Sequence, residues 1–202
     1  MSPAVEWIVA AILLLAPYRE PDERPVSWRR YTADASREMH ALRMQSIAED
    51  VAAVVAENPS LPGMSRASTT RLILSVAHFE SGFQHDVDLG VGKFGRGDFG
   101  RSWCLMQIQV GAGTTGQLVA TLPTDMREWT GRDLVTDRRK CLRTGLEMMR
   151  RSISACSALP ASSRLSAYAT GACDETDEKG RSRWRFAGSG VLGRSMPKDS
   201  YP

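Results

Sequence analysis

The sequence predicts a mainly α protein with a small α+β lobe. Apolar residues recur at helical spacing in two separate stretches, and five glycines crowd the interval from Leu89 to Gly100, which no regular helix accommodates. The chain of 202 residues, 42% hydrophobic and 24% charged, has ordinary globular composition. At that length about 70% of the unfolded surface is buried on folding, enough for a real core. A wholly disordered chain, a collagen-like fibre and a polytopic membrane protein are excluded.

The chain opens on Trp7 to Ala16, an unbroken apolar run of ten residues. It is too short to cross a bilayer, which takes about 20 residues. It has the length of a signal-peptide core, although no Lys or Arg precedes it and Glu6 stands at its edge. An export signal or membrane tether is one reading; a buried or interfacial helix is the other. Pro17, Pro21 and Pro25 then mark a linker. A helix is expected from about Ser27 to Glu57, with Leu42, Ile47, Val51 and Val54 at helical spacing, stopped by Asn58-Pro59. Pro62-Gly63 is a second break.

Thr69 or Thr70 can cap the next helix, RLILSVAHFES. Ile73, Val76, Ala77 and Glu80 fall at i, i+3, i+4 and i+7 and share one face. Gly82 suits the left-handed position that ends a helix. Glu80 therefore sits in the last turn of the inward face. Burial and the negative end of the helix dipole would both favour its protonated form there, as a general acid requires. The alternative is a glutamate that turns to solvent at a helix end. His78 lies about 200° around the helix from Glu80 and is not assigned to catalysis.

The glycine-rich segment reads as a loop, with or without short paired strands, between two ordered elements. After it comes Gly100-Arg101-Ser102-Trp103-Cys104-Leu105-Met106-Gln107-Ile108, an apolar patch around one Gln that needs hydrogen-bond partners. Asp86, Asp88 and Asp98 lie in this region; turn and surface roles account for aspartates there. His85 and Asp86 are weak candidates for a cleft wall. The stretch after Cys173 is polar and glycine-rich, and it reads as a loosely ordered tail.

Residues 1–63 hold six Arg and nine acidic residues, whereas residues 64–202 hold twenty basic and fourteen acidic ones. A basic body favours an anionic partner; a net charge of +3 makes no demand for nucleic acid. Cys104, Cys141, Cys156 and Cys173 form no CxxC pair, and His40, His78 and His85 show no ligand spacing with them, so no metal is expected. Four spread cysteines allow three disulfide pairings and fit an oxidising compartment.

Residues 66–173 resemble the catalytic domain of lytic transglycosylases, the lysozyme-like enzymes that cleave peptidoglycan. Glu80-Ser81-Gly82-Phe83 is similar to the family's Glu-Ser-Gly-Phe motif, and Leu105-Met106-Gln107-Ile108 to its Gly-Leu-Met-Gln-Ile motif, with Gly100-Arg101-Ser102 ahead of it. Asp133-Leu134-Val135-Thr136-Asp137 resembles a third element, with Arg138 where the family has proline. Ala167-Tyr168-Ala169-Thr170-Gly171 resembles a fourth, lacking its Asn. The two shorter motifs stand farther apart than usual by about the length of the glycine-rich loop.

The resemblance implies a helical lysozyme-like domain over 64–175, with the glycine-rich loop or a β-hairpin lobe beside an open cleft. An apolar segment and linker (1–26) and a helical extension (27–63) would precede it, and the loose tail (176–202) would follow. A helix from Arg138 to about Ser154 would pack behind the site. The implied reaction is non-hydrolytic cleavage of the β-1,4 bond between N-acetylmuramic acid and N-acetylglucosamine, with Glu80 as both acid and base. Ser102 and Gln107 become candidate contacts to glycan and acetamido group, Met106 a groove-lining residue, and Tyr168 a hydrogen-bonding neighbour of Glu80 or the sugar. On the same basis Cys104 pairs with Cys141, and Cys156 with Cys173. The expected partner is a peptidoglycan glycan strand, engaged by a monomer without cofactor or metal, outside the cytoplasm. The alternatives are a hydrolytic muramidase using a second carboxylate from Asp86, Asp88 or Asp98, and a non-catalytic wall-binding or virion module.

Overall fold

A computed structural model of the protein describes residues 1–20, 22–110 and 122–192. The described chain is mainly helical. Its nine α-helices are α1 (Pro3–Leu15), α2 (Arg37–Glu57), α3 (Arg66–Ser81), α4 (His85–Leu89), α5 (Thr124–Glu128), α6 (Gly131–Thr136), α7 (Arg138–Ala155), α8 (Ser166–Thr170) and α9 (Glu178–Ala187). The only sheet among the described residues pairs β1 (Ser102–Trp103) with β2 (Ile108–Gln109) antiparallel, Trp103 opposite Ile108.

The apolar opening segment is a core helix. Ser2 caps α1 by accepting the Val5 N–H, and Pro3 occupies the first turn, where no N–H is needed. Val5, Ile8, Ile12 and Leu15 then form a buried stripe that packs against α2. Among the described residues no helix is long and apolar enough to cross a membrane. The helix of the next segment starts ten residues later than the sequence suggests, at Arg37, because Ser36 caps it through the Met39 N–H. Its buried stripe is Met44, Ile47, Val51 and Val54–Val55; Leu42, about 140° away from Ile47, is 54% exposed.

Helix α3 starts at Ser65, whose hydroxyl accepts the Ser68 N–H, rather than at Thr69 or Thr70. Those two threonines are buried, and Thr69 Oγ1 accepts the Leu61 N–H instead. Gly82 closes the helix at φ +56°, as the sequence indicates. One hydrophobic cluster runs from Val5 through α2, α3 and the Leu105-Met106 strip to α7 and Leu192.

Two disulfides brace it. Cys104–Cys141 ties the Leu-Met-Gln-Ile strip to α7, and Cys156–Cys173 ties the end of α7 to the segment after α8. They suit an oxidising, extracytoplasmic setting. Replacing Cys104 and Cys141 by Ser is expected to cost about 3 kcal/mol. A lower urea midpoint of the double variant without reductant, where Cys156–Cys173 stays intact, checks it.

The stretch after Cys173 is not a loose tail over its described part. Asp177 caps α9 through the N–H groups of Lys179 and Gly180, and α9 packs on α3 and α8. Gly180 is a contact rather than a break. A Cβ there would come within 2.9 Å of Ser166 N and Leu165 C, so its absence lets α9 settle on the start of α8. Residues 193–202, also assigned to the tail, lie outside the described residues.

Candidate functional site

The last turn of α3, the loop before β1, the end of the Leu-Met-Gln-Ile strip, α8 and α9 surround a cleft of about 640 Å³. Glu80, Gln107 and Tyr168, all expected at the site from the sequence, line it. So do Asp98, Lys179 and Arg183.

Glu80 sits at the floor with 18% of its side chain exposed. Arg183 of α9 donates from both Nε (3.1 Å) and Nη2 (2.6 Å) to Glu80 Oε1. Burial pushes the Glu80 carboxyl above the usual carboxylate range. Arg183 pulls it back, Asp98 pushes it further, and burial dominates. The periodicity of α3 and the glycine after it put this residue in the last turn on the apolar face; α9, through Arg183, covers it there rather than leaving it to solvent.

Arg183 itself was not legible as a site residue. It lies 7% exposed under the cleft wall, its backbone carbonyl accepts the Ser75 hydroxyl (2.6 Å), and its guanidinium stands 5.6 Å from the Phe79 ring centroid. The Phe186 ring stacks on His78 (5.3 Å) and meets Phe79 edge-on. The signal was the spacing Gly180, Arg183, Trp184 and Ala187, which is i, i+3, i+4 and i+7 of one helical face.

Asp98 enters the cleft from the glycine-rich loop. Its Oδ2 accepts the Ser102 hydroxyl (2.5 Å) and the Gln109 amide (2.8 Å). The Ser102 hydroxyl first, and Gln109 next, hold its carboxyl below the usual range. Asp98 and the fully exposed Phe99 both have positive φ, +47° and +59°. Such backbone persists in non-glycine residues only where the surroundings hold it. Gly97 lets the loop lie close to Gln107: a Cβ on it would stand 2.3 Å from Gln107 Oε1 and would push the end of that side chain aside.

Three predicted contacts act differently from expectation. Ser102 is buried and faces Asp98, not the cleft, because the strand alternation of β1 points it under the loop. Met106 is 0% exposed and does not line the groove; it packs on Gly145 of α7, the partner strip being pulled inward beside Cys104–Cys141. Tyr168 presents its ring to the cleft, but its hydroxyl is engaged by the Met106 carbonyl (2.8 Å). Burial, and then the neighbouring Glu80, raise that hydroxyl well above its ordinary range. Gln107 is half-buried with φ +48°, its amide donating to the Cys104 carbonyl (3.1 Å).

The other aspartates stay outside. Asp86 accepts the Thr32 N–H, and Asp88 is paired with Arg138. His85 lines a separate small cavity that does not include Glu80, and Asp86 lies 3.7 Å from the His85 ring. The chain matches no family model, no curated protein and no solved structure.

Proposed function

We propose that the chain is a peptidoglycan lytic transglycosylase, acting outside the cytoplasm on the bond between N-acetylmuramic acid and N-acetylglucosamine. The observation that carries this reading is Glu80: a largely buried carboxyl, pushed toward its protonated form, at the floor of an open cleft beside Gln107 and Tyr168. The order of the Glu-Ser-Gly-Phe and Leu-Met-Gln-Ile motifs supports it.

In this mechanism Glu80 gives its proton to the bridging oxygen as the C1–O bond breaks. The N-acetylmuramic acid acetamido oxygen stabilises the electron-poor C1. The Glu80 carboxylate then takes the proton of the same sugar's C6 hydroxyl, whose oxygen closes on C1. The proton returns to Glu80 and the product carries a 1,6-anhydro ring. No water is consumed. General acid and base transfer of this kind contributes about 10²–10⁴-fold in rate. The cleft of about 640 Å³ has room for sugar rings beside Glu80, and Gln107 lines it with the acid.

Asp98 favours a second reading. Its carboxyl is held ionised while that of Glu80 is pushed up, in one cleft. A retained acid beside an ionised partner is the two-carboxylate arrangement of hydrolytic glycosidases. Digesting purified peptidoglycan and weighing the released muropeptides separates the two. The first reading expects anhydro ends, lighter by one water than the reducing ends that hydrolysis leaves. Wall binding without release of soluble fragments would remove both.

A further inference from the structure

We infer that Arg183 is a positioning residue for Glu80: by engaging Oε1 with two N–H groups, it leaves Oε2 as the oxygen that carries the proton toward the cleft. This rests on the reading of Glu80 as acid and base.

An arginine usually meets a carboxylate fork to fork, one N–H group on each oxygen. Here Nε and Nη2 converge on the same oxygen. Oε2 has no partner among the described residues, while the side chain keeps part of its surface open to the cleft. A proton on Oε1 would face two N–H donors at 3.1 and 2.6 Å, so protonation falls on Oε2. Once the proton has gone to the leaving oxygen, the guanidinium stabilises the carboxylate that remains. An acid that must next act as a base needs that stabilisation.

The arginine is built to hold still. Its carbonyl is tied to Ser75 on α3, its guanidinium lies by Phe79, and Gly180 seats its helix on α8. A flexible surface arginine would not select one oxygen. Facing Glu80 from the other elements are Lys179, also on α9, the Asp98 carboxylate from the loop and the Tyr168 ring from α8. His78, on its own helix, is turned away against Phe186.

Arg183 opposes the effect of burial on Glu80, so its removal raises the acid further. A general acid is lost as pH rises through its pKa, so the alkaline limb of kcat moves to higher pH in Arg183→Gln. The test uses the full chain labelled at glutamate carboxyl carbon, with Glu80→Gln assigning the signal. In Arg183→Gln the Glu80 titration and the alkaline limb of kcat should both move up. With Oε2 no longer aimed, kcat should fall on the order of 10²-fold, with KM little changed. Arg183→Lys retains the charge without the converging pair; it should keep the titration near that of the native chain yet still lose kcat. An unmoved titration and pH profile in Arg183→Gln overturns the inference. Should that variant not fold, native kcat in Arg183→Lys overturns it instead. The carboxyl titration is read without substrate. A failure of the acid assignment, seen as activity surviving Glu80→Gln, is therefore distinguishable from a failure of the positioning role.

Discussion

Glu80→Gln is expected to abolish glycan cleavage and leave the fold in place. The amide matches the carboxylate in shape, and its carbonyl oxygen can still accept from Arg183 Nε and Nη2. Trading a charged for a neutral acceptor beside the buried Arg183 costs about 1.5–3 kcal/mol, read as a lower melting midpoint in a fold still braced by two disulfides. The chemistry has no such tolerance, since the amide carries no transferable proton at this pH. Because one group serves first as acid and then as base, both halves of the reaction fail together. A loss of at least 10²–10⁴-fold is expected. Clearing of a cell-wall suspension measures it, and circular dichroism with a thermal melt verifies the fold. Native clearing by the folded variant would end the assignment of Glu80.

Arg138→Met is expected to give the largest loss of stability, about 3–5 kcal/mol, the cost of removing one partner of a buried ion pair. Arg138 forks onto both oxygens of Asp88, Nε to Oδ1 at 2.8 Å and Nη2 to Oδ2 at 2.9 Å. Its third nitrogen donates to Asp50 (2.7 Å) and Ser46 (3.1 Å) on α2. The Asp88 side chain is only 2% exposed, and the nearest other cation, Arg43, stands 3.7 Å away. One guanidinium thus joins α2, α4 and the first turn of α7. Methionine fills similar space but leaves the buried Asp88 with Arg43, at 3.7 Å and without a hydrogen bond to it, as its remaining ionic partner. Asp88→Asn added to Arg138→Met should recover much of the loss, because an uncharged amide is less costly to bury. Urea midpoints of the single and double variants measure both effects. A single variant within 1 kcal/mol of the native chain would show that water reaches Asp88.

Local rules made part of the site legible. Glu80 could be placed in the last turn of a helix because a periodic apolar face and a following glycine both act within one helix turn or two; the same rules leave its direction, inward or to solvent, open. Gln107 and Tyr168 reach the same cleft as Glu80, and the cysteine pairs join as the resemblance implies. Where the backbone leaves regular structure, adjacency in sequence says little about direction. Positive φ at Cys104 and Gln107 turns the strip, so Met106 goes to the core while Gln107 beside it reaches the cleft. Ser102 was legible as a polar group near the site, but not as the donor that holds Asp98.

The sequence alone determined the helical class, the glycine-rich interruption and the glycine that ends α3, since each depends on periodicity or on the dihedral freedom of a nearby residue; that Glu80 turns inward rather than to solvent was decided by the packing of α9 over it. Only the tertiary structure decided that α1 belongs to the core, that Arg138 is a half-buried junction, and that α9 brings Arg183 to Glu80 across 103 positions of chain. Those outcomes come from the need to pair buried charge and cover apolar faces, and the partners that meet it are chosen by packing in space rather than by spacing along the chain.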